Sequence, residues 1–133
     1  MNAPASRIAN GDSQSYWNAA REGRLELQAC PDCGHVQFPP RVQCASCWSD
    51  RIAPIDASGK GTIEGLTVVR RAPLKEFREK APYVIVAVKT AEGPRLVTNL
   101  IGEGALEAKI GDAVEVCFEE NADGEVLPQF RLV

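Results

Sequence analysis

Two short stretches, Cys30-Pro31-Asp32-Cys33-Gly34 and Cys44-Ala45-Ser46-Cys47, decide how this sequence is read. Together they spell C-x2-C, ten residues, C-x2-C. A C-x2-C turn aims two thiolates at one point, and the backbone amides beyond the first cysteine help neutralise the sulfur charge. Gly34, directly after the first pair, supplies the permissive dihedrals of a tight knuckle. Two such knuckles close a tetrahedral S4 site, which suits zinc and also accepts iron. Two disulfides, or thiols that are simply buried, are the competing readings. With no export signal in view, paired cysteines point first to metal. Cys30, Cys33, Cys44 and Cys47 are therefore the expected ligands. All four positions are filled, so the site is structural, with no open place for an activated water. A ribbon this short buries too little apolar surface to fold alone, and the metal supplies its folding energy.

Upstream, Asp12 or Ser13 can cap a short helix from Ser15 to Glu22, which Gly23 is placed to end. Tyr16, Trp17 and Ala20 give it an apolar face. The alternation Arg24-Leu25-Glu26-Leu27-Gln28 leads as a strand into the first knuckle, and Val36-Gln37-Phe38 leaves it. Pro39-Pro40 breaks regular pairing before the second knuckle. Trp48, after the last ligand, is expected to shield the site. His35 is the only histidine; four thiolates need no fifth ligand, and it reads as a loop or strand side chain.

Downstream of Asp56 the pattern changes to five strands. They are Lys60 to Val69, with curvature permitted at Gly61 and Gly65; Tyr83 to Lys89, buried on both faces or lining a barrel; Arg95 to Ile101; Ala113 to Glu119; and Val126 to Leu132. One or two helical turns fit between Gly104 and Ile110. Five strands with a short helix between the third and fourth is the order of an OB-type Greek-key barrel, with another small five-stranded barrel as the alternative. The fold class is thus mainly β: an N-terminal arm and helix over residues 1–23, a zinc ribbon over 24–55 and an OB-fold barrel over 56–133. The fifth cysteine, Cys117, lies on a strand beside Glu115 and Glu119. Those carboxylates raise a thiol pKa, so it reads as a packing residue.

Composition narrows the function. The 133 residues are 44% hydrophobic and 25% charged, as in a soluble globular protein, with a net charge of −3. That balance opposes general nucleic-acid binding. No run approaches the length of a membrane span, and residues 1–14 lack the apolar core of a secretory signal, so a cytoplasmic location is expected. There is no glycine-rich phosphate loop, no open metal position and no nucleophile beside a histidine, so catalysis by this chain alone is not expected.

The combined marks resemble a known family. They are Tyr16-Trp17, Glu22-Gly23-Arg24-Leu25, Cys30-x2-Cys33-Gly34, Gln37-Phe38-Pro39-Pro40-Arg41 and Cys44-x2-Cys47. In the barrel they continue with Thr67-Val68-Val69, Pro82-Tyr83, Glu92-Gly93, Ile110-Gly111-Asp112 and Leu127-Pro128-x-Phe130. Over roughly Tyr16 to Leu132 the chain resembles the family in which a rubredoxin-like zinc ribbon precedes an OB-fold, numbered thirty-five among the domains of unknown function. The resemblance implies a non-catalytic accessory subunit that binds or hands over acyl-CoA beside a thiolase-like enzyme, or within a hydratase or aldolase assembly. The alternative is a single-stranded nucleic-acid-binding zinc-ribbon and OB-fold protein.

Between Arg70 and Lys80 five basic residues, Arg70, Arg71, Lys75, Arg78 and Lys80, face two acidic ones, a local +3 in a chain of net −3. On the loop joining the first two barrel strands, such a cluster suits a discrete anion such as the phosphates of CoA. It is poorly suited to tracking a long polyanion, which the acidic remainder would repel. Adjacent strand residues face opposite ways unless the strand is bulged, so one of Arg70 and Arg71 is expected to contact phosphate and the other to be solvated or bound to the partner. Aromatics are only 6% of residues, a thin platform for stacking bases. Tyr16 and Trp17 are the candidate anchors for docking to a partner enzyme.

Overall fold

The computed structural model describes residues 13–71, 75–78, 81–121 and 124–133. The arm over 1–11, Asp12, Ala72-Pro73, Lys80 and Asp123 lie outside the described residues. The chain divides into two compact units, the first ending at Ala57 and the second starting at Ser58.

In the first unit, helix α1 (Gln14–Arg21) buries Tyr16, Ala19 and Ala20. It starts and stops one residue earlier than the sequence pattern suggested. Ser13 holds the N-cap position without a side-chain cap, so the hydroxyl does not set the start. The adjacent Ser15 Oγ instead donates to Glu26 Oε2 at 2.6 Å, tying the helix to the strand beneath it. Gly23, at φ 76°, ends the helix, its N–H reaching Ala20 O at 3.0 Å. Strand β1 (Glu26–Ala29) follows and lies between β2 (Val36–Gln37) and β3 (Ala53–Asp56) in an antiparallel sheet of order β2-β1-β3. Leu25 and Leu27 are buried there, and with Tyr16 and Ala19 they make the small apolar core of this unit.

The second unit is a closed barrel. Its strands are β4 (Lys60–Val69), β5 (Tyr83–Thr90), β6 (Arg95–Ile101), β7 (Ala113–Glu120) and β8 (Val126–Leu132), joined in the order β4-β5-β6-β8-β7. That is the OB topology, with short seams of two and three rungs closing the barrel at β6–β8 and β4–β7. Strand β5 alternates, with Val84, Val86 and Val88 fully buried and Ile85 and Ala87 half-buried. It therefore lines the barrel with one face and is not buried on both. Ile63, Leu96, Leu100, Val114 and Phe130 fill the rest of the interior.

Strand β4 closes the barrel by pairing with both β5 and β7. Its register on β5 slips by one between Ile63 and Gly65, which bends the strand. Gly61 has a different role from the curvature expected of it. A Cβ there would lie 2.5 Å from Val88 Cγ1 and 2.7 Å from the carbonyl oxygen of Lys89, so its bare backbone permits close approach of β5. The helix expected between Gly104 and Ile110 is only a 3-10 turn (Ala105–Glu107). The Asp112 carboxylate accepts the Lys109 N–H at 2.9 Å and draws the chain into the next turn before helix can extend. A short helix α2 (Lys75–Arg78) lies in the connection from β4 to β5. No helix among the described residues is long and apolar enough to cross a membrane.

Candidate metal centre and the basic loop

The two knuckles are built alike. Cys30 N–H donates to His35 O at 2.8 Å and Gly34 N–H to Cys30 O at 2.8 Å; Cys44 N–H donates to Ser49 O and Trp48 N–H to Cys44 O, both at 2.9 Å. Each turn thus carries its two thiols on one side. The four sulfurs lie within 4.8 Å of one another, with Cys30–Cys47 and Cys33–Cys44 at 3.6 Å. Four thiolates about 2.3 Å from a tetrahedral zinc stand roughly 3.8 Å apart, so the cluster has the spacing to hold a metal ion. His35 contributes its backbone carbonyl to the first knuckle, and its ring is not in the cluster.

Crowding four thiols without a cation splits their titration. Burial opposes ionisation of Cys44, yet the backbone N–H groups of Cys47 and Ser46 and the neighbouring thiols bring it down to about 7. Cys47 gains a favourable backbone contact from Ser49, but burial and the thiols of Cys30, Cys33 and Cys44 push it up to about 12. One thiolate forms readily and the next is resisted. A bound divalent cation removes that repulsion.

Side chains missed in the sequence hold the two knuckles together. Asp32 accepts from Ser49 Oγ at 2.5 Å and from Arg51 Nε at 3.1 Å, joining the first turn to the residues just past the second. Gln37 is 5% exposed; its amide donates to Gln28 Oε1 at 3.0 Å and Gln43 O at 3.2 Å and accepts from Ala45 N–H at 2.8 Å. Gln28 in turn bonds both the N–H and the C=O of Arg41. Two glutamines in short strands carry no sequence signal of this role, because their partners lie on another loop.

Trp48 does not shield the site. It is 76% exposed, with a φ of 69°, and lines a shallow hollow of about 320 Å³ with Arg41, Val42, Gln43, Cys44 and Ala45. The knuckle demands a left-handed residue after its second cysteine, and that backbone turn aims the indole outward. The helix aromatics also separate. Tyr16, 8% exposed, packs on Phe38 with ring centroids 5.1 Å apart and edge-on to Trp17 at 4.9 Å. Burial against its own ribbon removes Tyr16 as an anchor for a partner; Trp17 remains half-exposed.

In the barrel, Arg70, Arg71 and Arg78 line one hollow of about 320 Å³ with Ala81. The expectation that Arg70 and Arg71 diverge is corrected: β4 ends at Val69, so strand alternation no longer governs them. Lys75 is exposed on α2 and does not line this hollow, and Lys80 is outside the described residues. The Cys117 thiol is raised as expected, but for a different leading reason. Burial is the main cause, Arg131 opposes it, and Glu119 and Glu115 add smaller pushes.

A cysteine-cluster ribbon and a closed OB barrel in one short chain define a zinc-ribbon and OB-fold protein. The ChsH2 rubredoxin-like zinc ribbon domain matches residues 17–53, and the ChsH2 C-terminal OB-fold domain matches residues 55–119. A DUF35 domain-containing scaffold protein of Methanothermobacter thermautotrophicus is 35% identical over 77% of this chain and 80% of its own length. The chain belongs to the DUF35 family. It is also 36% identical, over 92% of its length, to a Thermomonospora curvata protein named "Probable enoyl-CoA hydratase alpha subunit", of which it spans 38%. A solved chain described as Ltp2-ChsH2(DUF35) aldolase superposes with a TM-score of 0.84 at 33% identity, covering 98% of both chains.

Proposed function

We propose that this chain is a non-catalytic accessory subunit of an acyl-CoA enzyme assembly, with one structural zinc held by Cys30, Cys33, Cys44 and Cys47. The observation that carries the reading is the convergence of Arg70, Arg71 and Arg78 on one hollow beside the β4–β5 connection. Three arginines lining a space of that size suit the phosphates of CoA. Lys75 and Lys80 add long-range attraction on the same loop. The relatives named as an enoyl-CoA hydratase subunit, a scaffold protein and an aldolase assembly support an acyl-CoA partner of thiolase, hydratase or aldolase type. The zinc ribbon family supports zinc over iron. The metal closes the ribbon and takes no part in chemistry; the barrel holds the anionic end of the thioester, and the half-exposed Trp17 anchors the partner.

The test is co-purification from the native cell followed by calorimetric titration of acetyl-CoA into the recovered complex. A charge-assisted contact is worth roughly 1.5–3 kcal/mol, so Arg70→Ala, Arg71→Ala and Arg78→Ala should each weaken binding about tenfold or more. Unchanged affinity in all three would remove the phosphate site. Recovery of the chain without an acyl-CoA enzyme, together with salt-sensitive micromolar binding of single-stranded DNA or RNA, would move the reading to nucleic acid.

A further inference from the structure

A second and larger hollow, of about 500 Å³, lies on the barrel and is used by neither the cysteine cluster nor the arginines. Phe130 is fully buried inside the barrel, so its neighbour Gln129, and Leu127 two residues earlier, point to the outer face. On β6 the same alternation turns Asn99 and Ile101 outward beside the buried Leu100. Leu106 of the 3-10 turn and Tyr83 at the start of β5 supply further wall, and Glu119 adds a carboxylate. The hollow has a topological cause. Strands β6 and β8 run parallel and pair only through Leu100–Phe130 and Ile101–Arg131. Beyond those rungs a side-chain bond from Thr98 Oγ1 to Pro128 O, at 2.8 Å, stands in for the ladder.

One polar atom in this apolar surround is unsatisfied. Gln129 is 7% exposed, and its Oε1 accepts no hydrogen bond from the described residues. Buried acceptors are nearly always paired, because leaving one bare costs its full desolvation. The nearby Asn99 amide is committed, donating to Val84 O at 3.1 Å. Gln129 Oε1 and the Glu119 carboxylate offer acceptors, and none of the lining residues is basic. A bare acceptor, a neighbouring carboxylate and an otherwise apolar wall favour a largely apolar ligand that brings a donor and carries no negative charge. The volume falls within the range of small-molecule sites.

We propose that this hollow is a binding site for an uncharged, mostly apolar small molecule bearing an O–H or N–H donor, an alcohol or amide whose donor Gln129 Oε1 receives. This stands apart from the acyl-CoA reading, since it uses no arginine and no anionic group.

The test is NMR titration of the full metal-loaded chain with three cyclohexane probes: cyclohexanol, its non-donor ether methoxycyclohexane, and the anion cyclohexanecarboxylate. Cyclohexanol should saturably shift the backbone amides of Asn99, Ile101, Gly102 and Leu127 and the side-chain amide of Gln129. It should bind about fivefold tighter than the ether, the effect of one neutral hydrogen bond, and the carboxylate should bind weakest. Gln129→Leu should abolish the difference between alcohol and ether while apolar binding persists. Equal affinity of alcohol and ether for the unmodified chain, shifts scattered over other faces, or no saturable binding would overturn the proposal. That comparison needs no variant, so a misfolded Gln129→Leu would not shelter it.

Discussion

Trp48 occupies, at the second knuckle, the left-handed position that Gly34 occupies at the first: φ is 69° for the tryptophan and 78° for the glycine. Both donate their N–H to the carbonyl of the first cysteine of their turn. The geometry belongs to the knuckle, not to the residue, and a side chain placed there is strained by about 1–2 kcal/mol.

Exchange at these two positions should therefore act in opposite directions. Gly34→Ala meets open space and only the backbone penalty, so it should destabilise the ribbon by about 1 kcal/mol. Trp48→Gly relieves strain and loses little packing, and after the added chain entropy of glycine it should gain about 0.5 kcal/mol. Urea unfolding of the metal-loaded chain, followed through ribbon residues, measures both. A gain from Gly34→Ala would show that the two turns are not equivalent.

Elemental analysis of the pure chain should find one zinc. Cys44→Ser removes a buried ligand and should lose the metal and unfold the first unit, while barrel resonances from Ser58 onward remain dispersed. Lowering the pH should release the ion as the thiolates protonate, because the metal competes with protons for the same sulfurs. Two disulfides by mass, with no metal, would refute the S4 site.

Gly61→Ala should be costly in the barrel and Gly65→Ala mild. A Cβ at Gly61 would press on Val88 and on the backbone oxygen of Lys89, whereas at Gly65 the nearest atom is Ala87 Cβ at 3.9 Å, an ordinary contact. Overpacking of this kind costs roughly 1–3 kcal/mol. Thermal unfolding of the two variants should separate them by several degrees, and equal melting points would contradict the close approach of β4 and β5.

The ion pair of Glu64 with Arg95 predicts a pH dependence. Hydrogen bonding from Arg95 is the leading cause that lowers the Glu64 pKa below its ordinary value. A carboxylate depressed in the folded state adds stability above its unfolded pKa and loses it as pH falls through the folded one. Wild type should thus be more stable than Glu64→Gln at pH 7, with the gap closing below about pH 4. Urea midpoints at the two ends of that range test the sign. The pair is largely exposed, so added salt should shrink the gap.

Much of this molecule is set by local chemistry and is legible in the chain. Two C-x2-C turns converge because each knuckle is complete within six residues, from the Cys30 N–H to the His35 carbonyl and from Cys44 to Ser49. Strands β4, β6 and β8 run between the bounds their patterns implied, since alternation and flanking turns act over a few residues. What tertiary structure alone decided involves partners far apart in sequence. Gln37 is a core residue because Gln28 and the second knuckle surround it; Tyr16 is buried because Phe38 lies beneath it; Gly61 is required because β5 passes too close for a side chain. Arg70 and Arg71 share a hollow with Arg78, which the connection to β5 brings beside them, and Gln129 Oε1 finds no partner among the described residues once the barrel closes. Periodicity says which way a side chain turns. Only the closed barrel and the folded ribbon determine what it meets there, because register between distant strands is a property of the packed chain and not of any one segment.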